Sequence, residues 1–358
     1  MAFNFFDTYY MAGMVREIVP KHTFFRDRYF PTNASTDIFK ANKVLVEYKD
    51  GDRKLAPFVV QRVGDIPIAR GGYQVHEFEP AYIAPSRILT LDDLNKRGYG
   101  EALYTDRTPA ERARALQLED LTDLDTRIVH REEWMAVQTM INNGCTMHAY
   151  IDDSTVGEVN DVFFYDTAGS NPALYTVSNP WNSAQGDFFG DVKVMCRMLS
   201  KRGLRAADLV MGTDVADYIL DIEKVQKLLN KDSGIIIGQI EEELSEYDGI
   251  VFMGRLNFGG VKLNLISVDE TYIDTDGTEK PFFPTNAAMV TAPGCGHMMY
   301  GQITQMEPDK EYHTFAMQRV PKLIVNEDVD MRKLRLASRP LAAPLHKAPW
   351  IYAPQVVQ

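Results

Sequence analysis

Cysteine is scarce in this 358-residue chain: Cys145, Cys196 and Cys295 are far apart and odd in number. That argues against a disulfide framework and suits a reducing compartment. No apolar run reaches the roughly 18 residues needed to span a bilayer, so no membrane partner is expected. The opening Met1-Ala2-Phe3-Asn4-Phe5-Phe6-Asp7 lacks a basic region and is broken by Asp7, so no secretory signal is expected. Positive charge is in deficit, with 38 Lys and Arg against 50 Asp and Glu and a net charge of −12. A protein whose main affinity is for nucleic-acid phosphates needs a basic face, which this balance argues against. It leaves room for a protein that lives beside DNA without gripping it. Catalytic signatures are missing too: there is no G-x-x-x-x-G-K-[ST], no G-x-S-x-G, no H-E-x-x-H and no paired C-x-x-C. Neither an internal repeat nor a Ser- or Gly-rich linker is visible.

What is present is an ordinary globular composition, 45% hydrophobic and 25% charged, with ample material for a core. Its most distinctive stretch runs from Thr108 to Gly144, where neither proline nor glycine falls between Ala110 and Asn143. Thr108-Pro109-Ala110-Glu111 joins a capping hydroxyl, a proline at the first helical position and a glutamate three residues after the cap. Asn143-Gly144 tolerates the left-handed backbone that closes a helix. The spacing predicts one helix over 109–143, a rod of roughly 50 Å. Leu121, Leu124, Ile128 and Met135 share one narrow face, while Arg112, Arg114, Asp120, Asp123, Asp125 and Arg127 cover the rest. From Trp134 to Ile141 apolar residues point all round, which predicts a buried end.

The segment before residue 42 carries Phe3, Phe5, Phe6, Tyr9, Tyr10, Phe24, Phe25, Tyr29, Phe30 and Phe39, too dense for a solvated tail. It lies either against its own domain or on a neighbouring subunit, and the residues alone leave both open. Lys43 to Thr90 reads as extended, with Lys43–Tyr48 turning at Asp50-Gly51 into Leu55–Val60. Arg62 to Gly72 is rich in breakers and poor in apolar residues; about 20 extended residues reach some 60 Å. A long loop of this kind is usually functional. After the helix come strands at Cys145–Ile151 and Asp161–Tyr165, then a helix at Phe188–Arg202. Ala207–Gly212 is a strand, and Thr213 caps a helix running through Leu229. Further strands are predicted at Tyr247–Phe252, Val261–Val268 and Ala287–Thr291, with an Asp-Gly hairpin at Tyr272–Lys280.

Four weak chemical candidates are outweighed by structural readings. Gly294-Cys295-Gly296 with Gly301 lacks the dinucleotide spacing and reads as a turn. His130 and Glu133 share a helix face and read as a solvated or intersubunit ion pair rather than metal ligands. Cys145 and His148 read as a satisfied core pair, and Asp274-Thr275-Asp276-Gly277 as a hairpin turn rather than a calcium loop. No catalytic, cofactor or metal residues are assigned.

The order of an aromatic arm, an extended loop, a long isolated helix and a mixed domain resembles the major capsid protein E family of tailed phages. The resemblance covers most of the chain. It is carried by Phe24-Phe25-Arg26-Asp27-Arg28-Tyr29-Phe30-Pro31, by Arg70-Gly71-Gly72 followed by Glu77–Pro85, and by Arg131–Val137. Phe282–Val290 and Arg339-Pro340-Leu341 complete it. It implies an α+β chain with the Hong Kong 97-like phage capsid fold. The implied division is an N-terminal arm (1–42), an extended β-hairpin loop (43–90), a peripheral domain (91–155 and 300–337) and an axial domain (156–299 and 338–358). It further implies a virion shell protein made in the host bacterial cytoplasm, assembling as hexamers and pentamers around double-stranded DNA without sequence-specific binding. Scaffolding, portal and decoration proteins are the partners the resemblance implies. Phe24, Phe25, Arg26, Arg62, Arg70, Gly71, Gly72, Phe78, Arg112 and Arg114 are the expected subunit-interface residues. The rival readings are an encapsulin-type nanocompartment shell and an α/β enzyme holding a nucleotide at the Gly294–Gly301 turn.

Overall fold

The computed structural model describes residues 8, 11, 12, 15, 21–48, 74–90, 109–150, 156–165, 171–226, 247–326, 328 and 331–358. Its longest element is the helix Pro109–Asn142, 34 residues and about 50 Å at 1.5 Å per residue. This spine ends where Asn143 takes φ 60° and Gly144 φ 148°. The Asn143 side-chain amide donates to the carbonyl of Phe164 at 2.6 Å. A Cβ on Gly144 would stand 2.1 Å from the Val162 carbonyl oxygen, so glycine is required there by contact as well as by backbone angle. The cap residue Thr108 lies outside the described residues.

Three-dimensional order centres on a five-stranded sheet of Trp350–Ala353, Ala288–Thr291, Asp208–Gly212, Val261–Val268 and Ile250–Phe258, in that order. Only the pairing of Asp208–Gly212 with Val261–Val268 is parallel. Strand side chains alternate in direction, and here both faces are buried. Leu209, Met211, Leu263, Leu265, Ala288, Val290 and Ile351 meet the helices Phe188–Lys201 and Thr213–Asp221 in one core. Val210, Ile266, Met289, Trp350 and Tyr352 meet a second core, shared with the spine's end (Met135–Val137, Met140) and with Phe24, Phe25, Tyr29 and Phe30. The buried end predicted from Trp134 onward is therefore real, and it is sandwiched between the sheet and the N-terminal segment.

The outer half of the spine packs differently. Leu121, Leu124 and Ile128 lie with Leu334 and Leu336 of a three-stranded antiparallel sheet, Val320–Asn326, Met331–Ala337 and Ser86–Leu89, and with Met11 and Val15. Gly296–Tyr300 pairs with Pro340–Pro344, and Thr139 of the spine donates to the carbonyl of Ala342. A ribbon of Gly144–Tyr150 with Val156–Phe163 follows the helix directly, so the division drawn between residues 155 and 156 cuts one pair of strands.

Several local expectations are corrected. Val44–Tyr48 pairs in register with Gln74–Phe78, while the return strand expected at Leu55–Val60 lies outside the described residues. Thr213 is the first helical residue after an N-cap at Gly212 with no side-chain cap bond. That helix stops at Asp221, where Ile222 turns extended (ψ 108°), instead of running on through Leu229. His148 is exposed while Cys145 is buried, because three positions of separation put them on opposite faces of the strand. The Asp-Gly hairpin forms as expected: Gly277 N–H donates to the Asp274 carbonyl at 2.9 Å and Gly277 adopts φ 79°.

Candidate functional site

The charged residues that hold the elements together converge on the N-terminal segment 21–39. The helix Phe24–Tyr29 starts at Thr23, whose side chain makes no cap bond. Glu133, reaching across from the spine, accepts from the N–H of Phe25 at 2.7 Å and of Arg26 at 2.8 Å. A carboxylate on the first free amides of a helix satisfies two orphan donors and meets the positive end of the dipole. Its neighbour Glu132 is fully buried. It accepts both ends of the Arg319 guanidinium (2.7 and 3.0 Å), Arg26 at 3.3 Å and the Tyr300 hydroxyl at 3.1 Å. Arg319 also reaches Asp125 at 2.6 Å, so one arginine ties the strand Val320–Asn326 to the spine at two levels.

A second fastening lies at the sheet. Arg28 grips Asp208 with two parallel bonds of 2.8 Å, and Tyr29 and Asn264 donate to the same buried carboxylate at 3.0 and 2.8 Å. A third joins Asp37, which is buried, to His297 at 2.8 Å and to the N–H of Asn33 at 2.6 Å. Bidentate and charge-assisted bonds of this kind fix geometry as well as contribute energy. The segment is thus riveted to the spine, the central sheet and the strand Gly296–Tyr300.

Electrostatics follow from burial. The bond to Asp208 raises the Arg28 guanidinium above its ordinary value. Burial works against charge on Arg319, and Glu132, Tyr300 and Asp125 outweigh it, leaving the guanidinium well above its usual range. Burial pushes the Glu133 carboxyl up to about 7 against the pull of its two backbone donors, and Glu270 likewise to about 7. Burial lowers His130, with the Lys21 ammonium adding to the effect; the two side chains are 2.7 Å apart. The three thiols are also pushed up by burial, Cys145 to about 12 and the others to about 11, which makes them unreactive packing groups.

The expected interface residues fall into three groups. Phe24 and Phe25 are fully buried in the chain's own core, Phe25 stacking on Phe283 and Phe24 edge-on to Tyr247. This corrects their placement on a neighbour: their apolar area is already spent inside the subunit. Arg26 is mostly buried and committed to Glu132 and Asp27. Phe78 is half-buried against Phe164, rings 4.9 Å apart, and Arg114 is exposed on the spine. Arg112 lies in the spine helix. Arg62, Arg70, Gly71 and Gly72 lie outside the described residues.

The ion pair expected of His130 and Glu133 is also corrected, since Glu133 is a buried helix cap and His130 faces Lys21. Sequence reasoning missed Glu132, Arg319, Arg28 and Asp208. A signal existed in the adjacent glutamates at 132 and 133, charged residues inside a stretch otherwise apolar all round. The Gly294–Gly301 turn leads straight into the strand Gly296–Tyr300, so no helix N-terminus faces a phosphate there. Exposed Asp309, Glu311 and His313 lie within reach of one another at a hairpin end, where His313 is already 2.7 Å from Asp309. Among the described residues no helix is long and apolar enough to cross a membrane.

A comparison with curated proteins finds no match. Among solved structures the chain is similar to one described as a prophage capsid protein of E. coli CFT073, at 18% identity over 99% of each chain with a TM-score of 0.65. A phage-related protein from Bordetella bronchiseptica RB50 aligns at 8% identity over 97% of this chain and 96% of that one, with a TM-score of 0.54. These likenesses show the fold, which is Hong Kong 97-like. The family model for phage major capsid protein E matches residues 7–353, nearly the whole chain, which selects a shell protein of the virion over a nanocompartment or a nucleotide enzyme. The chain belongs to the phage major capsid protein E family.

Proposed function

We propose that this major capsid protein assembles as hexamers and pentamers into a closed icosahedral head around double-stranded DNA, and that it has no catalytic role. The carrying observation is the spine. One end is locked between the central sheet and the N-terminal segment, and the other reaches out along a small separate sheet. A rod of about 50 Å held at one end and along its middle transmits position across a subunit, which is what a tiling component needs. Residues 49–73, leaving and re-entering through the paired strands Val44–Tyr48 and Gln74–Phe78, supply an arm that makes its contacts on the neighbouring subunit. Arg62, Arg70, Gly71, Gly72 and Phe78 belong to that contact, and Arg112 and Arg114 on the spine's charged flank are its counterpart. The domain division is an N-terminal arm, an extended loop, a peripheral unit around the spine and an axial unit around the five-stranded sheet. Scaffolding and portal proteins take part in assembly, and a decoration protein is a further candidate partner. The net charge of −12 fits a wall that does not trap its contents by counterion release.

Light scattering and negative-stain imaging of the purified chain test this reading. Capsomers or closed shells are the expected outcome, and a strictly monomeric particle at high concentration overturns it.

A further inference from the structure

The three-stranded sheet that backs the outer half of the spine differs in charge from the rest of the chain. Its strands Val320–Asn326, Met331–Ala337 and Ser86–Leu89 carry Arg87, Lys322, Arg332, Lys333 and Arg335 and not one carboxylate, in a chain of net charge −12. Leu334 and Leu336 pack on the spine, so the alternate positions Lys333 and Arg335 point away from it. Ile324, Lys333 and Ile88 stand in one row across that outward face. Arg335 is anchored on Gln305 and Lys322 on the Met306 carbonyl, whereas Lys333 has no partner among the described residues. Ile88 and Ile324 are 49% and 37% exposed, so an ammonium sits between two uncovered isoleucines. A second lobe has the opposite character. Segments 247–249 and 269–281 are tied by the N–H of Asp269 on the Gly249 carbonyl at 2.8 Å. They hold Asp248, Asp269, Glu270, Asp274, Asp276 and Glu279 against one cation, Lys280. Ile273 of this lobe is 76% exposed, and the exposed ring of Tyr150 lies beside it, its hydroxyl 3.1 Å from that of Thr275. A two-stranded hairpin is marginal alone and gains from whatever covers it.

We propose that these two surfaces bind each other between copies of this chain: the acidic lobe of one subunit, led by Ile273, seats on the outward face of its neighbour's three-stranded sheet around Lys333. The inference rests on the reading of the chain as a shell subunit and names one of its contacts. Three observations select a second copy as the occupant. The surfaces are opposite in charge, and each joins that charge to exposed isoleucine, so ion pairing and apolar contact are satisfied together. Both stay exposed within one subunit, so they do not cover each other there. A contact between two different patches of one chain is heterologous, and its repetition builds rings instead of closed pairs. Nucleic-acid phosphate fits the sheet less well, because Ile88 and Ile324 flank Lys333 and offer it no charge. It would also leave the carboxylates of the lobe unanswered.

Charge exchange in the full chain tests the contact, read as the threshold concentration for assembly by light scattering and negative-stain imaging. Lys333→Glu, and separately Asp269→Lys with Glu279→Lys, are each expected to raise the threshold about tenfold or more, since like charges then face each other. Circular dichroism and thermal unfolding are expected to match the parent, because none of the three side chains is buried. Joined in one chain, the two reversals are expected to bring the threshold most of the way back. An unchanged threshold in either reversal, or no recovery in the combined chain, overturns the proposal and leaves the shell reading intact; a parent that stays monomeric overturns both. Normal shells from Lys333→Glu that hold less DNA would assign the sheet face to nucleic acid and refute the contact. If Lys333→Glu fails to fold, Ile273→Ser, at a side chain outside every core, supplies the test: a raised threshold supports the contact and an unchanged one refutes it.

Discussion

Asp208 shows what a single buried carboxylate contributes to this fold. It begins the middle strand of the central sheet, is fully buried, and receives Arg28, Tyr29 and Asn264. Replacing it with asparagine keeps the shape but leaves the Arg28 guanidinium without its counter-charge. Breaking a buried pair costs roughly 3–5 kcal/mol, and Arg28 is 24% exposed, which favours the low end. Asp208→Asn is expected to lose about 3 kcal/mol in urea unfolding followed by circular dichroism. A loss below about 1 kcal/mol, the level of a surface pair, would show that the contact is not energetically buried.

Among the elements, the spine was the most legible in sequence. Its proline-free and glycine-free run, the Asn143-Gly144 stop and the change from one-sided to all-round apolar character each have a direct physical counterpart. The N-terminal segment was least legible. Its aromatic density required burial but could not say against what, because a packed arm and a donated arm show the same pattern. The rivets were invisible for a related reason: Arg26, Arg28 and Arg319 meet carboxylates more than 100 positions away, and no local period encodes such pairs. Arg319 also supplies a test at this scale. Arg319→Met removes the bidentate partner of buried Glu132 and is expected to cost roughly 3–5 kcal/mol. Adding Glu132→Leu to that variant is expected to recover much of the loss, measured as a double-mutant cycle; additive losses would mean the two side chains are not coupled.

For the whole molecule, shell building and subunit folding are expected to separate cleanly. Deleting Val63 to Gly71 leaves the paired strands Val44–Tyr48 and Gln74–Phe78, and the packing of Phe78 on Phe164, in place. The variant is expected to match the parent in circular dichroism and thermal unfolding yet form no shells by negative-stain imaging. Normal shells would refute the assignment of that stretch to contacts between subunits. A different consequence follows from the core shared by Phe30 and Trp350, whose rings lie 5.1 Å apart. A ribosome emits the two over 300 residues apart, at roughly 5–20 residues per second. For many seconds the aromatic segment therefore waits without the strand that covers it, and the central sheet lacks its last member. The rivets at Glu132, Glu133 and Asp208 can close well before that, so on the growing chain the segment is fastened first by charge and only later roofed by the ring of Trp350.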